Sequence, residues 1–192
     1  MPSVPPLLKT LPLLLLAVLT TAVLAGCSFQ LRGTSPVPAA LQPLAVDCST
    51  SLPGRFCQSI RDQLTLGGIE LKESAEANYI LRLRDYNQDR RASAITAQAA
   101  AAEYRLRHTV TIELLTAERA PLIAATSLTA SETYRYDETS VLAKQREEDD
   151  LREQLDDRLA QQVIFRLTPM SQERINTLIQ AHSNSKEQTE QP

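Results

Sequence analysis

The clearest regularity in the chain is a two-residue period between positions 104 and 114. Tyr104, Leu106, His108, Val110, Ile112 and Leu114 alternate with Arg105, Arg107, Thr109, Thr111 and Glu113. Side chains on a strand project to opposite faces in turn, so this row predicts a strand with one buried and one polar face. The same alternation runs through Leu122, Ala124, Thr126, Leu128 and Ala130 within 122–136, after a break at Ala120-Pro121. Two long runs across a short break predict a hairpin. Upstream, Tyr79, Leu81 and Leu83 oppose Ile80, Arg82 and Arg84, and Asn87 to Ala92 is charged and turn-like. Leu44 to Cys48 predicts a short strand, and Ile69 to Leu71 can add another.

Elsewhere the period is four. Phe56, Ile60 and Leu64 form one apolar stripe, closed by Gly67-Gly68, where glycine supplies a left-handed helix end. Ser49 to Ser51 offers a cap, and Pro53 suits the first turn. From about Ser140 a second helix carries Leu151, Leu155, Leu159, Val163 and Leu167 at steps of four, until Pro169 stops it. The order strand, helix, three or more strands, helix predicts an α+β fold. It is a small mixed or antiparallel sheet of about four strands, with two helices packed on one face so that both stripes are buried.

The N-terminus follows neither period. Leu11 to Ala25 is an apolar run without a charged side chain, preceded by Lys9, as in a secretory signal. It is short for a membrane span, which needs about 20 apolar residues. Leu24-Ala25-Gly26-Cys27 ends it and resembles the lipobox of bacterial lipoproteins. The expectation is a cleaved signal over 1–26 and lipidation of Cys27, since several acyl chains on one residue give stable attachment where one does not. Ser28 in place of Asp points to the outer membrane. Residues 27–43, with Pro36, Pro38 and Pro43, are expected to be a tether, 44–170 the domain, and 171–192 a disordered tail.

Composition narrows the chemistry. Without Lys9 the 23 acidic residues still outnumber the basic ones, so nothing points to nucleic acid. No apolar run after Cys27 is long enough to cross a bilayer. Cys48 and Cys57 are nine residues apart, and export to an oxidising compartment favours a disulfide; two buried thiols are the alternative. His108 and His182 are the only histidines, and His108 on a core row reads as a satisfied core residue. Neither cysteine has a neighbouring histidine to activate it. No zinc spacing, phosphate-cradling glycine loop or nucleophile elbow occurs, so no cofactor, metal or catalytic residue is expected. The acidic run Glu147 to Asp150 reads as a solvated helix face. Arg82 with Arg84, and Arg105 with Arg107, share outward strand faces. They form either a solvated surface or a bidentate site for phosphate or carboxylate.

Four stretches resemble one family, the lipopolysaccharide-assembly lipoprotein LptE. They are Leu24-Ala-Gly-Cys-Ser-Phe-Gln-Leu-Arg-Gly33, the helix and turn from Ile60 to Leu71, Ala102-Glu-Tyr-Arg-Leu106, and the stretch from Leu142 through Leu167. The resemblance implies a non-enzymatic protein that plugs and helps assemble the LptD β-barrel. It also implies that the protein assists lipopolysaccharide insertion, binds lipopolysaccharide, and is anchored on the periplasmic side of the outer membrane. It places Lys144 at a basic position that the family uses against lipopolysaccharide. A second basic position, expected before Ala102-Glu-Tyr104, has no counterpart, because 94–102 holds no Lys or Arg. Arg90 and Arg91 stand just upstream as substitutes, and Arg105 and Arg107 complete the candidate set. The alternative reading is a periplasmic lipoprotein that scaffolds or activates cell-wall enzymes.

Overall fold

A computed structural model describes residues 36–95, 101–136 and 140–190. Cys27, the expected signal over 1–26 and most of the expected tether lie outside them. Strand β1 (Leu44–Cys48) leads to helix α1 (Gly54–Leu66), followed by strands β2 (Tyr79–Ile95), β3 (Ala101–Thr116) and β4 (Pro121–Arg135). Helices α2 (Val141–Leu167) and α3 (Gln172–Glu190) complete the order. The sheet is mixed and runs β1-β2-β3-β4, with β1 parallel to β2 and the other pairs antiparallel.

Alternation places Leu81, Leu83, Leu106, Val110, Ile112, Leu114 and Leu128 in one buried layer. Phe56, Ile60 and Leu64 of α1, and Leu155, Leu159, Val163 and Leu167 of α2, close over it. Each of these side chains is at most 4% exposed, and burying a large aliphatic side chain contributes about 1.5–3 kcal/mol. Helix α2 lies on β3 and β4, and α1 packs beside α2. The other face of the sheet carries only a small apolar cluster of Ala45, Ala77, Ile80 and Leu115. Beyond it come Arg82, Glu113, Arg105 and Arg107.

The end of α1 shows why glycine is needed there. Gly68 has φ +79°, a left-handed conformation, and Ile69 N–H and Gly68 N–H donate to Leu64 O and Thr65 O. That is a Schellman closure, with Ile69 and Leu64 buried together. The start of α1 departs from expectation. Pro53 itself occupies the cap without a side-chain bond, while the Ser49 and Ser51 hydroxyls bond each other at 2.8 Å.

Three further expectations are corrected. Residues 87–92 are not a turn: they continue β2, with Asn87 to Ala92 paired to Thr109 to Tyr104. A bulge between Arg84 and Asn87, where Asp85 has φ +55°, precedes them, and further register shifts follow between Ala92 and Ile95. The bulge shifts the alternation, and a charged strand survives because β3 supplies its hydrogen bonds. The tether does not extend to residue 43, since Val37 and Leu41 enter the core around a 3-10 turn at Ala39–Leu41. The tail is not without structure over 172–190, which form α3. Ile175, fully buried, and the partly buried Leu178 pack on the core at helical spacing.

Candidate functional site

Among the described residues no three His, Cys, Asp or Glu side chains group as metal ligands, and no helix is long and apolar enough to cross a membrane. Cys48 ends β1 and Cys57 lies in the first turn of α1; their sulfurs are joined in a disulfide, with Cα atoms 6.4 Å apart. His108 is 1% exposed, and its Nδ1 lies 2.7 Å from Asp156 Oδ1. Tyr86 donates its hydroxyl hydrogen to the same carboxylate at 2.5 Å, and Gln88 donates to the Tyr86 oxygen at 2.6 Å. Burial and then Asp156 push the Tyr86 hydroxyl well above the usual phenol range. This network ties β2 and β3 to α2 and leaves the histidine satisfied inside the core.

The five candidate cations do not converge. Strand register separates them, because directly opposed residues share a face and the next pair points the other way. Arg91 faces Arg105, and Asp89 faces Arg107, on the side away from the helices. These residues line a shallow depression together with Ser93. Arg91 pairs with Asp89 at 2.7 Å, while Arg105 and Arg107 have no partner among the described residues. Farther along the same face, Arg82 bridges Asp47 at 3.3 Å and Glu113 at 3.4 Å, and Arg84 reaches Glu113 at 3.9 Å. Those two arginines are therefore balanced within the sheet.

Arg90 is opposite Leu106 in register and points to the helix side. There it meets Lys144, and both line one cavity of about 340 Å³ with Tyr136, Val141, Glu148 and Arg152. The first turn of α2 supplies Val141 and Lys144, and the next supplies Glu148. Lys144 Nζ sits 2.7 Å from Glu147 of its own helix. The Arg90 guanidinium carbon lies over the Tyr104 ring, 3.6 Å from its centre. Its Nε donates to the Tyr134 oxygen at 3.1 Å and lies 3.1 Å from Glu148 Oε2. Tyr134 donates to Glu148, and Arg152 donates to the other carboxylate oxygen. Burial, then the bond to Glu148, pushes the Tyr134 hydroxyl up to about 12. It remains a hydrogen-bond donor at any physiological pH.

Sequence patterning brings out Lys144 and Arg90 separately but misses their company. Glu148 belongs to a run expected to be a solvated face, yet its side chain is only 13% exposed and carries three partners. Tyr104 and Tyr134 fall on strand rows like any core aromatic, and their rings lie 5.9 Å apart. Only the β3–β4 register, Tyr104 against Tyr134, brings them to one spot beside Arg90.

Comparison with known proteins gives a consistent result. The sequence model of the family described as "LptE: Lipopolysaccharide-assembly" matches residues 41–167. The LPS-assembly lipoprotein LptE of Pectobacterium atrosepticum is 34% identical over 154 residues, covering 79% of this chain and 80% of that protein. Among solved structures, a minor lipoprotein from Acinetobacter baumannii aligns with TM-score 0.58 and 25% identity, covering 69% of this chain and 94% of that one. Uncharacterized lipoprotein B of Nitrosomonas europaea aligns with TM-score 0.63 at 17% identity, over 73% of this chain and 90% of that chain, a likeness of fold.

Proposed function

Because the chain belongs to the LptE family of lipopolysaccharide-assembly lipoproteins, we propose that it plugs and helps assemble an LptD β-barrel in the outer membrane and binds lipopolysaccharide as it passes. The family is not enzymatic. Attachment is through lipid on Cys27 after removal of residues 1–26, and the residues between Cys27 and Pro36 act as the tether on the periplasmic side.

The observation that carries the ligand half of this reading is the meeting of Lys144 and Arg90. They come from β2 and α2, separated by two strands in the sequence, yet line one cavity. Lys144, Arg90 and Arg152 outnumber Glu148 and Asp149 in this pocket, and with the exposed apolar side chains of Val141 and Leu142 beside it they match an amphiphile with anionic groups on an apolar body. The barrel half is supported by the uncovered sheet face. Its Thr109, Thr111, Ser127, Thr129 and Ser131 rows, with Arg105 and Arg107, make a polar surface of the kind a barrel lumen accommodates. On this reading Arg91, Arg105 and Arg107 face the barrel. A phosphate held by Lys144 lies on the other side of the sheet.

Two experiments test the proposal. A tagged copy of the whole chain, solubilised from outer membranes in detergent, is expected to bring down one large β-barrel protein. A folded chain that recovers none, or that recovers a cell-wall synthase instead, sinks the barrel reading. Lys144→Ala and Arg90→Ala are each expected to weaken lipopolysaccharide binding about tenfold, the scale of one charge-assisted hydrogen bond. Arg105→Ala is expected to leave that affinity within about twofold, because a solvated charge on the opposite face contributes little.

A further inference from the structure

Arg90 differs from every other cation of the sheet in how it is held. Its guanidinium carbon sits over the Tyr104 ring at 3.6 Å, and the Tyr136 ring stands 6.0 Å away. Its Nε is committed to Tyr134 and Glu148, both at 3.1 Å. Among the described residues nothing is bonded to its two terminal nitrogens. An arginine on a surface strand ordinarily samples many rotamers, and fixing such a side chain costs conformational entropy. Here the fold has already fixed it. The holding groups come from three elements, Tyr104 on β3, Tyr134 on β4 and Glu148 on α2, so the orientation belongs to the tertiary structure.

The geometry points to Tyr104, Tyr134 and Glu148 as positioning residues that preset the free Nη1/Nη2 edge of Arg90 to take a phosphate monoester of a glycolipid bidentately. This rests on the glycolipid reading above and adds which residues decide the affinity. The paired terminal nitrogens of a guanidinium match two oxygens of one phosphate, a geometry that a lysine ammonium cannot reproduce. Lys144, on the same cavity wall, supplies a point charge. Glu148 has a counter-intuitive role. As a carboxylate lining the cavity it repels an incoming anion, and removing its charge would by simple electrostatics strengthen binding. As the anchor of Nε and the acceptor for Tyr134 it orients the receiver. With Tyr134, Arg90 and Arg152 all bonded to it, its charge is already compensated, so orientation is the larger effect.

The test compares the mature chain with Tyr104→Leu, Tyr134→Phe, Glu148→Gln and Arg90→Lys variants. Binding is measured to bisphosphorylated lipid A and to its phosphate-free counterpart in the same detergent. Each variant is expected to lose about tenfold in affinity for the bisphosphate. Binding of the phosphate-free lipid should stay within about twofold, a split that general loosening of the fold would not produce. Tyr134→Phe removes a single oxygen and keeps the test open if Tyr104→Leu fails to fold. Tighter binding by Glu148→Gln makes that carboxylate a mere competitor and overturns the positioning role. So does an Arg90→Lys variant that binds as the unaltered chain does. No binding of either lipid by the unaltered chain overturns the glycolipid reading and this inference with it. Binding that ignores the phosphates overturns this inference alone.

Discussion

At the residue scale, the chain shows how much a side chain's role depends on what it meets. Arg90, Arg91, Arg105 and Arg107 are alike in sequence, and register sorts them onto two faces with different company. Tyr134 gives a direct chemical prediction. Its hydroxyl is raised to about 12 against an ordinary value of 10.0, so between those values the unfolded chain holds fewer protons than the folded one. The stability from this neutral phenol is complete below pH 10 and is lost as pH rises towards 12. Melting of wild type and Tyr134→Phe at pH 8 and pH 11 checks this; the mutant is expected to lack that share of the alkaline decline. The Cys48–Cys57 pair gives another. Thiol labelling of the unreduced mature chain should find neither sulfur free, and Cys57→Ser should lower stability by up to about 3 kcal/mol for so short a loop. Two reactive thiols would refute the bridge.

At the scale of elements, the long alternating and four-residue periods specify β3, β4, α1 and α2, because each buries one face against the same core. The second half of β2 and the tail helix were not legible in the same way. Residues 87–92 carry too many charges to predict a strand, and they become one because β3 satisfies their backbone groups. Ile175, Leu178 and Ile179 recur at helical spacing, but the polar residues that follow mask so short a stripe. Ile175 is fully buried against the domain, so α3 is part of the fold and contributes to its stability. Ile175→Ala is expected to cost about 2–4 kcal/mol in chemical denaturation, as for other buried aliphatics truncated to alanine. A change below about 0.5 kcal/mol would mean that the helix is not docked in solution.

For the whole molecule, the described helices cover one side of the sheet and leave a polar face that no other described helix covers. The charges there are arranged in a gradient. Arg82 is neutralised by Asp47 and Glu113 near β1, whereas among the described residues Arg105 and Arg107 have no partner towards the other end of β3. A partner that covers this face should therefore place acidic or polar groups near Arg105 and Arg107. Photocrosslinkers at Thr109 or Ser131 should reach the barrel, and crosslinkers at Phe165 on α2 should not. The reverse pattern would put the helices against the partner wall. The sequence by itself determined the spacing of the core, the layer architecture and the family, because each is written in local period or contiguous motif. Tertiary structure alone decided which cations share a cavity, that Glu148 bonds three side chains and is not a solvated charge, and that among the described residues Arg90 is held through its Nε. Those facts depend on strand register and on the seating of α2 across β4, and a one-residue slip of a strand would send its side chains to the opposite face.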